Sequence, residues 1–60
     1  MIKHKRINFR NIILKNKDLS DMNFCGCDLS GSDLSGCILI NTNFKCADLI
    51  GTNLSGASLI

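Results

Sequence analysis

Residues 27–36 read Cys27-Asp28-Leu29-Ser30-Gly31-Ser32-Asp33-Leu34-Ser35-Gly36, two nearly identical blocks of five. The block extends in both directions without a break. Phe9, Leu14, Leu19, Phe24, Leu29, Leu34, Leu39, Phe44, Leu49, Leu54 and Leu59 stand five residues apart, and no Leu or Phe lies off that register. These eleven residues are the centres of the repeat and its expected core. A period of five matches neither the helical 3.6 nor the strand period of 2. A helix would smear the centres around its circumference. A continuous strand would send alternate centres to opposite faces.

The flanking positions resolve the conflict. Two residues after a centre come Asn11, Asn16, Asp21, Gly26, Gly31, Gly36, Asn41, Cys46, Gly51 and Gly56. Nine of these ten are Gly, Asn or Asp, the residues that tolerate positive φ and tight corners; Cys46 is the exception. Two before a centre come Ile7, Ile12, Lys17 and Met22, then only small residues from Cys27 onward. The position just before a centre is mostly Asn or Asp. Each block of five therefore reads as one short extended side and one corner. The small residue and the centre are two apart and point inward, while the Asn or Asp between them points outward. The chain winds as a solenoid with a dry interior, its coils stacked at the strand spacing of about 4.8 Å.

Ala47-Asp48-Leu49, Cys27-Asp28-Leu29, Ser32-Asp33-Leu34, Thr42-Asn43-Phe44 and Thr52-Asn53-Leu54 resemble the Ala-(Asp/Asn)-Leu-x-x units of the pentapeptide-repeat family. Ile12-Ile13-Leu14, Lys17-Asp18-Leu19 and Cys37-Ile38-Leu39 are weaker matches. The resemblance runs over 7–60 and leaves 1–6 as a basic N-terminal arm. It implies an all-β fold, a right-handed quadrilateral β-helix with four repeats per coil and about 2.75 coils in all. Handedness and the square section come from the family alone.

With that geometry, positions twenty apart stack. Phe24 is expected under Phe44, and Phe9 under Leu29 and Leu49. Asn23 under Asn43 would make a hydrogen-bonded ladder, and Asp28 under Asp48 a solvated pair of carboxylates. Ile7, Ile12 and Met22 read as a plug at the N-terminal end, with Lys17 snorkelling out past them. The C-terminal end would expose Leu54, Leu59 and raw strand edges, which invite another chain. Ile38, Ile40 and Ile60 gather on that side as a candidate interface. Two expectations stand side by side: a piece of a longer solenoid, or a homodimer through the C-terminal end.

Sixty residues make one small domain with a thin core, burying about 60% of the surface the unfolded chain exposes. A content of 45% hydrophobic and 20% charged residues argues against disorder. No apolar run reaches the roughly 18–20 residues of a membrane span. No apolar stretch follows the basic start Met1-Ile2-Lys3-His4-Lys5-Arg6, so no signal peptide is expected, and a cytoplasmic setting follows. Residues 1–17 carry six cations and no acid, while 18–60 carry Lys45 against Asp18, Asp21, Asp28, Asp33 and Asp48. Such an arm could meet phosphates, but six charges at one end usually serve solubility, so neither nucleic acid nor membrane is the expected partner.

Cys25, Cys27, Cys37 and Cys46 do not make a zinc site. The register turns Cys27 and Cys37 inward on opposite walls and Cys25 and Cys46 outward, so four sulfurs cannot converge. His4 has no evident partner, and every glycine is used by a corner. No catalytic or phosphate-binding motif appears. No catalytic residue, cofactor or metal is expected, and the chain is not expected to be an enzyme. The function expected is a structural or protein-interaction scaffold with an unknown protein partner, or a fragment of one. The alternative is a DNA mimic that binds a type II topoisomerase, as some pentapeptide-repeat proteins do. A net charge of +2, a short chain and the absence of Glu all weigh against it.

Overall fold

The computed structural model describes residues 6–59. His4, the rest of the basic arm before Arg6, and Ile60 lie outside them. The extended sides pair in parallel across twenty residues: Asn8 with Asp28 with Asp48, Ile13 with Asp33 with Asn53, Asp18 with Ile38 with Ser58, and Asn23 with Asn43. Each side contributes a single bridged residue, so the described residues hold no continuous strand and no helix. The four ladders stack a first coil (7–26), a second (27–46) and the described part of a third (47–59).

The backbone accounting explains why single bridges suffice. The centre and the corner residue two after it each donate to a carbonyl of the next coil, as in Phe9 N–H to Asp28 and Asn11 N–H to Ser30. The bridge residue of the upper coil donates back down, as in Asp28 N–H to Ile7. These inter-coil bonds are 2.8–3.0 Å long. They run parallel to the stacking direction, so a stack of many short sides satisfies the backbone as well as a few long strands would.

The corners take the conformation the sequence requires. All ten residues two after a centre have positive φ, between 58° and 71°. Nine corners close with a bond of 2.9–3.3 Å from the amide three residues after the centre to the centre's carbonyl, as in Lys17 N–H to Leu14. Positive φ at the third residue alone marks these as type II turns. Cys46 adopts φ 60° like its neighbours, although its Cβ is disfavoured there.

The interior is centred on the second coil. Leu29, Leu34, Cys37, Cys27, Ser32 and Leu39 are all buried, with Leu19 and Phe24 closing the same cluster from the first coil. Phe9, Leu14, Phe44, Leu49 and Leu54 pack against it half-buried. Phe24 and Phe44 stack as the twenty-residue register predicts, with centroids 5.6 Å apart and planes 11° off parallel. Phe9 meets Phe24 edge-on at 6.2 Å. Leu59, a centre of the repeat expected to lie exposed at the C-terminal end, is 61% exposed, with no described coil over it.

Polar groups enter this interior at no cost in lost hydrogen bonds. The small inward residue donates to the centre's carbonyl one coil below. Thr42 Oγ1 reaches Leu19 O and Thr52 Oγ1 reaches Leu29 O, both at 2.8 Å, and Cys37 Sγ reaches Leu14 O at 2.9 Å. Ser32 goes further. Its hydroxyl donates to Phe9 O at 2.6 Å and accepts from Ile12 N–H at 3.2 Å, standing between the two groups whose bond would close the first corner. No buried side-chain N or O among the described residues is left without a partner.

The N-terminal plug is only partly formed. Ile12 packs on the core, but Ile7 is 59% and Met22 46% exposed. Between Phe9, Ile12, Leu14, Leu19, Met22 and Phe24 lies an open hollow of about 180 Å³. Among the described residues no coil lies beneath these bulky end-ring side chains to press them together.

Candidate interaction faces

The outward surface is made of three residues per repeat: the bridge residue and the two corner residues. Eight bridge residues are Asn or Asp. In each, Oδ1 accepts the amide two residues on at 2.9–3.1 Å: Asn8, Asp18, Asn23, Asp28, Asp33, Asn43, Asp48 and Asn53. This is the Asx-turn. It replaces the expected Asn ladder: Asn23 Oδ1 caps Cys25 N–H and Asn43 Oδ1 caps Lys45 N–H, rather than the one bonding the other. The local amide is in reach at once, whereas the neighbouring side chain stands a full coil away.

Serine one residue after the centre tightens the cap. The hydroxyls of Ser20, Ser30 and Ser35 donate to Asp18, Asp28 and Asp33 at 2.6–2.7 Å, and Ser55 does the same to Asn53. The serine hydroxyl, then the serine amide, hold all three carboxyls below the ordinary value. Arg10 and Arg6 add to this at Asp28, and Lys15 at Asp33. Arg10 Nε stands 3.7 Å from Asp28 Oδ2, the one ion pair among the described residues. It spans two coils and largely faces solvent, so its own contribution is small.

Arg6 was not singled out by the sequence. Its guanidinium reaches up one corner column, donating to Cys46 O at 2.6 Å and more loosely to Gly26 O at 3.4 Å. The signal was present: Arg6 is twenty and forty residues before those positions, and glycine at 26 leaves the column open.

Two bridge positions break the polar rule, Ile13 and Ile38. Ile13 stands alone on its side and is widely exposed. Ile38 and Ile40, members of the candidate interface, sit together in the second coil and are 40% and 39% exposed; Ile60 is outside the described residues. Ile50 is exposed on a different side and does not join them. The faces are therefore mostly polar planes, with one small apolar pair and the isolated Ile13 and Ile50.

Cys27 and Cys37 are buried, and Cys25 and Cys46 exposed, all as free thiols. Among the described residues no three His, Cys, Asp or Glu side chains converge as a metal site, and no helix is long and apolar enough to cross a membrane. None of the curated proteins compared matches the sequence. A family model described as "Pentapeptide repeats (8 copies)" matches residues 5–39 and 26–59. These matches cover nearly the whole chain, and the chain belongs to the pentapeptide-repeat family.

Proposed function

We propose that the coils form a right-handed quadrilateral β-helix over 7–60, preceded by a basic arm at 1–6, and that the chain acts as a non-enzymatic protein-interaction scaffold in the cytoplasm. One observation supports this above the others. The outward Asn and Asp side chains are committed to capping their own backbone, so they hold the faces rigid and do not converge on a reacting centre. A rigid polar plane loses little entropy when a partner binds it. The buried, hydrogen-bonded thiol of Cys37 suits a reducing compartment.

The contact we assign to this scaffold is a homodimer through the C-terminal end. Leu59 is exposed there, Leu54 is half-buried, and Ile38 and Ile40 lie close by. Sedimentation equilibrium of the full chain tests it. A dimer whose dissociation constant rises at least tenfold in Leu59→Asp and in Ile40→Lys supports the reading. A monomer at hundreds of micromolar, or a dimer indifferent to both changes, overturns it.

A further inference from the structure

One corner of the molecule carries two thiols. Cys46 breaks the Gly, Asn or Asp rule, and it holds φ 60° although its Cβ is disfavoured there. Backbone strain of this kind is a reason to ask what the side chain does. Directly below, in the first coil, stand Cys25 and Gly26. Gly26 N–H donates to Lys45 O at 2.9 Å, so the peptide that follows Cys25 is stacked under the peptide that precedes Cys46. One coil step of about 4.8 Å and one residue step of about 3.8 Å then place the two cysteine Cα atoms about 6 Å apart, a span that disulfides bridge. The positive φ also aims the Cβ. A Cβ at Gly51, another corner that sits over a glycine, would lie 3.8 Å from the amide N and 3.9 Å from the Cα of Gly31. A side chain in this conformation thus leans onto the coil beneath, and Cys46 sits over Gly26 in the same way. Cys25 and Cys46 are both exposed free thiols. Cys27 is as close to Cys46 in register, but it is sealed inside the coil. Cys37 is buried too, its Sγ donating to Leu14 O. Arg6, bonded to Cys46 O and more loosely to Gly26 O, ties the two corners together from outside.

We propose that Cys25 and Cys46 form a redox-active dithiol, which a small-molecule disulfide of the glutathione class closes into an inter-coil disulfide. One cysteine gives its proton to water and attacks a glutathione sulfur. A mixed disulfide forms and one glutathione thiolate leaves. The second cysteine, likewise deprotonated, attacks the protein-side sulfur and expels the other glutathione. Two protein thiols are oxidised to one disulfide, one glutathione disulfide is reduced to two thiols, and the two released protons go to the leaving thiolates. The bond staples the open first coil to the sealed second, and a reducing thiol pool releases it. This goes beyond the scaffold reading and does not depend on it.

Oxidised glutathione is the probe, added to the reduced full chain without denaturant and followed by intact mass and by mapping of the linked peptides. The monomer should lose about 2 Da, two hydrogens for one bond, with the link between Cys25 and Cys46. The urea midpoint should rise by about 1 M or more on closure and return on adding dithiothreitol. Cys25→Ser and Cys46→Ser, both exposed changes, should each abolish the loss of hydrogens and instead retain one glutathione on the cysteine that remains. Cys27→Ala should close as the unaltered chain does, with circular dichroism reporting that the fold survives. Stable glutathione adducts on both Cys25 and Cys46 in the unaltered chain overturn the proposal. So do a link to Cys27 or Cys37, links only between two chains, or closure that occurs only in urea. A closed chain with an unchanged or lowered urea midpoint also overturns it, because the bond would then not staple the native coils.

Discussion

The first and second coils share one repeat and differ in almost everything that burial controls. In the second coil Cys27, Leu29, Ser32, Leu34, Cys37 and Leu39 are all sealed from solvent. In the first coil the same positions hold Ile7, Phe9, Ile12, Leu14, Lys17 and Leu19, and only Leu19 is buried. The first coil is the more hydrophobic at its inward positions and the less buried. Burial in a stacked chain is decided by having a coil on each side, not by the side chain's own character. The corners differ as well. The first coil turns on Asn11, Asn16 and Asp21 before its only glycine, Gly26, whereas the second opens with Gly31 and Gly36. The two sets interlock: a Cβ added at Gly31 would fall on the Asn11 side chain, and one at Gly36 on Asn16.

Truncating equivalent centres gives the sharpest test of this contrast. Leu34→Ala in the sealed coil should cost about 2–5 kcal/mol, enough to unfold much of so small a protein. Leu14→Ala, already half-exposed and facing the hollow, should cost clearly less. Equal shifts in urea midpoint would break the argument that the second coil carries the stability.

Corner glycines come next. Gly31→Ala and Gly51→Ala both place a Cβ at positive φ, a penalty of about 1–2 kcal/mol. Gly31→Ala must also displace Asn11, whereas the space at Gly51 is ordinary van der Waals contact with Gly31. Gly31→Ala should therefore be the worse of the two, and Asn11→Gly should bring them level in thermal melts. The opposite change is informative at Cys46. Cys46→Gly should stabilise by up to about 1 kcal/mol, since it relieves the one corner that is neither Gly, Asn nor Asp.

Ser32→Ala should cost about 1 kcal/mol, the smaller end for a buried hydroxyl. The loss is limited because Ile12 N–H and Phe9 O, now bridged by that hydroxyl, can close on each other as the other nine corners do. Amide exchange at Ile12 should stay slow in the variant if this repair occurs.

The smallest effect is that of pH. Asp18, Asp28 and Asp33 are held below the ordinary 3.8 in the folded chain. Their contribution is therefore full above about pH 4 and is lost as pH falls through the lowered folded values. The urea midpoint should drop on acidification below that point. Ser30→Ala should flatten the drop, because it removes the leading cause at Asp28. A midpoint that rises on acidification would mean the caps do not favour the charged form.

Much of the fold was legible because the period of five is incompatible with other regular structure. The inward pairs, the corner class and the Phe24–Phe44 stack all follow from counting residues. The polar bonding was legible only in part. The spacing put Asn23 below Asn43 but could not say that each would turn to its own backbone. Nor does a list of small residues reveal that Ser32, Cys37, Thr42 and Thr52 reach back to carbonyls of the coil below. Those bonds depend on a hydroxyl's rotation and on how the coils stack, not on spacing. The hollow was missed because Ile7, Ile12 and Met22 looked large enough to fill the end. Size fills a space only when something presses the side chains into it.

The direction of the inter-coil hydrogen bonds also determines how the molecule would come apart under tension. Each coil is tied to the next by bonds lying along the stack, and each holds twenty residues of chain. A pull on the two termini would load these ties a few at a time, opening them in sequence like a zip rather than shearing them together. Every coil released would pay out about 70 Å of extended chain. Held by its ends, this protein would behave as a spool: it would yield at modest force, in long steps, with the second coil the last to let go.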